Sequence, residues 1–217
     1  MIKTNTMSRA LFSYLSPVLL AVILLPAACI EKKEVPLPIL GAREVNGTDT
    51  VYHTIADFKF VDQDSATITN STFDNKIYIA DFFFTSCRTI CPIMKTQMLR
   101  AYDSLQDDSN VLFLSHTIDP EYDTVGLLHD YAERLGVKSD KWHFVTGAKD
   151  DIYKIAQTSY FATAMEAKEE PDGFIHSGAF LLIDKQRRIR GKYDGTKEED
   201  VNRLLIDIRR LEKENAK

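Results

Sequence analysis

The chain has 217 residues, room for one ordinary domain with a leader and a short tail. Hydrophobic residues make up 44% and charged residues 27%, the balance of a globular domain in water. The formal net charge of −5 leaves no basic surplus, which argues against nucleic acid as a partner. The first thirty residues have a different character. Lys3 and Arg9 make a positive start, and Leu11–Leu25 is an apolar run broken only by Ser13, Tyr14, Ser16 and Pro17. Small Ala27 and Ala28 then lead into Cys29, the build of an export signal. A spanning helix needs roughly 20 apolar residues, and this run is shorter and carries a proline. Residues 1–28 are therefore expected to be a signal peptide.

The stretch Leu25-Pro26-Ala27-Ala28-Cys29 resembles a bacterial lipobox. The resemblance implies cleavage before Cys29 and attachment of lipid to its sulfur. The exported protein would then be anchored to a membrane and face the periplasm or cell exterior. A plain secretory signal with an incidental cysteine is the alternative. The acidic remainder has no attraction of its own for an anionic bilayer, so lipid would have to hold it there. Of three cysteines, lipidation leaves Cys87 and Cys91, four positions apart. An exported protein lives where disulfides form, yet no dispersed set of staples is present.

Residues 29–50 are polar, hold Pro36, Pro38, Gly41 and Gly47, and read as a flexible tether ahead of a domain over 51–217. Asp57–Val61 and Ala66–Thr69 flank a turn and suggest a hairpin. Ile77–Phe84 is almost continuously apolar, as a strand buried on both faces would be. A turn with Cys87 and Cys91 follows, and Pro92 suits the first turn of a helix running to Gln106. Val111–Ile118 reads as a second buried strand, and Thr124–Leu135 as a helix stopped by Gly136. Trp142–Thr146 is a short strand and Asp150–Gln157 a third helix, and 159–174 is an irregular loop. Gly178–Asp184 and Ile189–Tyr193 form a hairpin. The last helix places Val201, Leu204, Leu205, Ile208 and Leu211 on one face. This order is α/β and thioredoxin-like: a mixed central sheet flanked by helices, with an N-terminal hairpin extension.

Cys87-Arg88-Thr89-Ile90-Cys91-Pro92 sits where a buried strand hands over to a helix. A helix N-terminus favours negative charge and so stabilises thiolates, with Arg88 as a possible contributor. The spacing lets both sulfurs share an ion or oxidise to a disulfide. A structural disulfide or two buried thiols is the alternative, although so small a loop stabilises little. The two-residue spacing of thioredoxin-type enzymes is absent. A peroxidatic threonine three positions before a cysteine is absent too, since Thr85 lies two before Cys87 and six before Cys91.

Over roughly residues 50–212 the chain resembles the Sco/SenC family of copper proteins. The matching segments are Thr85-Ser86-Cys87-Arg88-Thr89-Ile90-Cys91-Pro92 and, later, His176-Ser177-Gly178-Ala179-Phe180. Ser115–Thr124 resembles the family's Ser-x-Asp-Pro-x-x-Asp-Thr segment, and Trp142–Gly147 and Gly191–Thr196 are similar to further family segments. Arg88 stands where the family has a first proline, and Ile175 where an acidic residue often precedes the histidine. The resemblance implies that Cys87, Cys91 and His176 are copper ligands. Two thiolates and an imidazole make a soft set suited to Cu(I) that can also hold Cu(II). Zinc is the chemical competitor, but structural zinc takes four protein ligands and no third thiol is present.

The implied function is a copper chaperone that delivers the metal to the binuclear copper centre of a cytochrome c oxidase subunit. A thiol–disulfide oxidoreductase keeping the partner's cysteines reduced, with Cys87 and Cys91 as its redox pair, is the second reading. A redox or copper sensor is the third. His53, His116, His129 and His143 read as structural or solvent-facing. Asp119 and Asp123 read as caps of the following helix, and Met94 and Met98 as helical packing.

Overall fold

The computed structural model describes residues 35–167, 169–170 and 172–215. The expected signal peptide, Cys29 and the first part of the expected tether lie outside the described residues. Seven strands form one mixed sheet in the order β11-β10-β5-β6-β7-β3-β4. In chain order these are β3 (Lys59–Asp62), β4 (Thr67–Thr69), β5 (Ile77–Phe83), β6 (Val111–Thr117), β7 (Trp142–Thr146), β10 (Ala179–Ile183) and β11 (Ile189–Asp194). A two-stranded sheet, β1 (Arg43–Asn46) and β2 (Asp49–Tyr52), precedes them, and β8 (Ala164–Glu166) pairs with β9 (Phe174–His176). Four helices complete the fold: α1 (Cys91–Leu105), α2 (Val125–Leu135), α3 (Lys149–Thr158) and α4 (Glu198–Asn215). Among the described residues no helix is long and apolar enough to cross a membrane.

The centre of the sheet is parallel, with β5 against β6 and β6 against β7. Both flanks are antiparallel: β10 and β11 on one side, β3 and β4 on the other. Every residue of β5, β6, β7 and β10 is buried. That matches their continuous apolar character and requires cover on both faces. On one face Phe113 and Trp142 meet Tyr102 of α1, while Phe83 and Phe144 meet Tyr131 of α2. On the other, Phe82 and His116 pack against Tyr160, with Phe58 and Phe60 closing on His116. α4 presents Val201, Leu204, Ile208 and Leu211 to the interior.

The expected α/β architecture and its hairpin extension are present, and the departures lie at the edges. The tether expected over 29–50 is not free chain from residue 35 onward. Leu37 is 6% exposed, and the Arg190 guanidinium donates to the carbonyls of Leu37 (2.7 Å) and Pro38 (3.1 Å). The Leu40 N–H donates to Ile189 O at 2.8 Å, so this segment straps along β11. β1 and β2 then form a hairpin whose turn holds Gly47 at φ +65°. The irregular 159–174 loop likewise contains β8, which pairs with β9 so that Ala164 faces His176.

Candidate metal centre

β5 runs out at Phe83, and the chain turns through 84–90 before α1 opens at Cys91 with Pro92 behind it. The turn is anchored from a distance by Asp123, which is fully buried. Its carboxylate accepts the Thr85 N–H at 3.1 Å, the Thr85 hydroxyl, and the Thr117 hydroxyl at 2.5 Å. Asp123 is therefore not the cap of α2. That role falls to Thr124, whose hydroxyl accepts from Leu127 N at 3.3 Å. Asp119 does not cap it either; its N–H donates to Thr117 Oγ1 at 3.0 Å, within the segment leading into the helix.

The histidine arrives on the β8–β9 hairpin. Asp172, in the connection between those strands, accepts from Arg88 N–H and Thr89 O–H at 3.1 Å each. The hairpin is thereby latched to the cysteine turn. His176 Nε2 lies 3.2 Å from Cys91 Sγ and 3.9 Å from Cys87 Sγ, and all three donor atoms lie within 4.8 Å of one another. The imidazole stands edge-on to Phe84, with ring centroids 5.7 Å apart. Its Nδ1 is buried without a hydrogen-bond partner among the described residues. Both cysteines are free thiols, 8% and 5% exposed.

The two thiols share their protons unequally. A hydrogen bond from Cys91 holds the Cys87 thiol well below the usual range, helped by His176 and by Thr89, whose hydroxyl is 3.6 Å away. Donating that bond pushes the Cys91 thiol up, and burial adds to the effect. The contact thus favours negative charge on Cys87 over Cys91. Arg88 takes no part in this: its side chain is exposed, and its backbone N–H is the group that is tied down.

Ligand bonds of about 2.0–2.3 Å to imidazole and thiolate place neighbouring donors roughly 3–4 Å apart. The histidine-to-sulfur separations of 3.2 and 3.9 Å fit that requirement, and the donor set is soft. The trio can hold a metal ion. The other histidines stand elsewhere. His53 bonds Ser159 O at 2.7 Å, His129 is exposed beside Asp64, and His143 bonds Asp62 at 3.0 Å. His116 is buried among aromatic rings, and among the described residues neither nitrogen is partnered. Met94 and Met98 are buried in the core, as packing requires.

Fold and trio together define a thioredoxin-like α/β protein with a two-cysteine, one-histidine site able to bind a metal. The chain belongs to the SCO1/SenC family, whose model matches residues 46–212. The SCO1 protein homolog of Bacillus subtilis (strain 168) is 27% identical over 163 residues, covering 74% of this chain and 84% of that protein. A SCO1/SenC family lipoprotein from Bacillus anthracis superposes with a TM-score of 0.67 at 27% identity, covering 73% of this chain and 95% of the other. BsSco, a member of the Sco family of cytochrome c oxidase assembly proteins in which a disulfide switch has been identified, gives a TM-score of 0.65 at 27% identity, with 73% and 93% covered.

Proposed function

We propose that this protein is exported, tethered to a membrane through a lipid on Cys29, and carries copper on Cys87, Cys91 and His176 to the binuclear copper centre of a cytochrome c oxidase subunit. The observation that carries the reading is the approach of two sulfurs and one imidazole nitrogen, from a turn and a separate hairpin, to within 4.8 Å. Two thiolates and a neutral imidazole suit Cu(I), and the nitrogen lets the same site accept Cu(II). Low exposure keeps water from competing, and the histidine comes from a separate hairpin whose latch to the cysteine turn is exposed to a partner. Transfer then follows by exchange: a partner thiolate joins the copper as one ligand leaves, and the ion is never free.

A second reading is favoured by the unequal thiols. Cys87 as thiolate can attack one sulfur of a partner disulfide and release the other, and Cys91 then attacks Cys87 Sγ in the mixed disulfide and releases the remaining partner sulfur. The partner's sulfurs gain two electrons as the Cys87–Cys91 bond forms, with one proton from the Cys91 thiol and the second from water. His176 separates the two readings, because it supplies a ligand but no sulfur. His176→Ala should lose most of its Cu(I) affinity in competition with a chelator and keep a Cys87–Cys91 pair that oxidises and reduces. Cys87→Ser and Cys91→Ser should lose both properties. In cells short of copper, copper carriage requires His176→Ala to fail in oxidase assembly as the cysteine variants do. Full assembly by His176→Ala would leave thiol reduction as the function. The lipid is tested separately by mass spectrometry of membrane-extracted protein, where an acylated N-terminal Cys29 is expected. An unmodified mature N-terminus elsewhere would remove the tether.

A further inference from the structure

Lys95 follows Cys91 by one helical turn on α1 and is 7% exposed. Lysines on helices normally reach water. Here Nζ stands over four aromatic rings, 4.7 Å from the Phe83 centroid, 4.8 Å from Trp142 and Phe144, and 5.2 Å from Tyr131. It has no hydrogen-bond acceptor among the described residues. Asp81 of β5, 2% exposed, lies in the same layer. Its Oδ1 accepts from Ser115 O–H, and Ser115 Oγ accepts Trp142 Nε1–H at 2.8 Å, so a chain of donors ends on the carboxylate.

Burial pushes Lys95 down and Asp81 up, and the opposite charge of each resists the shift of the other. The groups facing Lys95 are Asp81 on β5, Cys91 on α1 and the Tyr131 phenol on α2, which burial keeps protonated. Asp81 in turn faces His176. Stability does not account for such a pair, since apolar side chains of similar volume serve a core as well or better. The place of Lys95 one helical turn from Cys91, whose charge it feels, does.

We propose that the Lys95 ammonium is a positioning charge for the metal centre, a buried cation that offsets the negative charge of copper held by two thiolates. The inference rests on the copper reading above. Cu(I) with two thiolates and a neutral imidazole carries a net charge of −1, and Cu(II) with the same ligands is neutral. A fixed cation behind the site therefore favours Cu(I). At an effective dielectric constant of about 20, a unit charge roughly 10 Å away changes a binding constant by on the order of tenfold. Enclosure in the protein keeps salt from screening it.

The test uses the intact protein with Lys95→Met and with the uncharged double variant Asp81→Asn/Lys95→Met. Cu(I) affinity is measured by competition with a chromogenic chelator, and the Cu(II)/Cu(I) midpoint potential by titration. Lys95→Met should bind Cu(I) about tenfold more weakly and show a lower potential, at low and high salt alike, and the double variant, which removes one charge of each sign, should lie between it and wild type. The double variant leaves no unpaired buried carboxylate, so it carries the test if the single variant does not fold. Wild-type affinity and potential in a folded variant would overturn the inference and leave the copper reading standing. A wild-type protein that binds no Cu(I) would remove that reading and the inference with it.

Discussion

His116 makes the fold acid-sensitive by an amount that follows from its burial. The imidazole is fully enclosed, stacked on Phe82 at 4.9 Å between centroids, and among the described residues neither nitrogen has a partner within good hydrogen-bond geometry. Burial pushes its pKa down from 6.5 to about 3. Between those values the unfolded chain takes up a proton that the folded chain refuses, so stability falls as pH drops below 6.5. At pH 5, one and a half units below the unfolded value, the loss is about 2 kcal/mol at roughly 1.4 kcal/mol per unit. That figure is set by the unfolded pKa alone, because the folded one lies far below 5.

His116→Leu should abolish this component. At pH 7.5 it gives up ring stacking of about 0.5–1.5 kcal/mol. It also removes two unsatisfied polar atoms whose desolvation costs about 1–3 kcal/mol. The variant should therefore match or exceed wild type there. Urea unfolding of reduced, metal-free protein between pH 7.5 and 5 is the assay. The variant should gain about 2 kcal/mol on wild type across that range. Parallel profiles would show that His116 titrates normally and refute the argument.

Asp123→Ala strands three donors, a buried one on Thr117 and two half-buried ones on Thr85, and should lower stability by roughly 3–5 kcal/mol in urea unfolding. A loss under about 1 kcal/mol would mean that the cysteine turn holds itself. Asp172→Ala should leave unfolding almost unchanged, since the latch is exposed. It should, however, speed Cu(I) release to a chelator several-fold by freeing the hairpin that carries His176. Unchanged release kinetics would show that the latch does not restrain the histidine.

The central strands, the cysteine turn and the helix behind it were legible in the sequence because burial leaves a mark in residue type. Ile77–Phe83 and Val111–Thr117 are buried at every position, and their composition says so. The β1–β2 hairpin left no such mark. It is exposed at every position but Tyr52 and is joined by backbone pairing that polar residues do not advertise. β8 and β9 are three residues each, too short for alternation to emerge from a loop.

The metal ligands were recognisable through motif order. The residues that hold them in place were not, because their partners are remote in the chain. Asp123 looks like a local cap until its contact with Thr85, 38 positions away, is seen. Asp172 reaches Arg88 over 84 positions. Lys95 carries no mark in the sequence that singles it out, and only the tertiary fold encloses it with rings from β5, α2 and β7.

The central claim is that one ion is held by both sulfurs and the imidazole together. X-ray absorption of the protein loaded with one equivalent of Cu(I) reads that donor set directly. Two sulfur donors and one nitrogen donor are expected, with the nitrogen lost in His176→Ala and one sulfur lost in Cys87→Ser or Cys91→Ser. A spectrum showing sulfur alone, or one that His176→Ala leaves unchanged, would contradict the account.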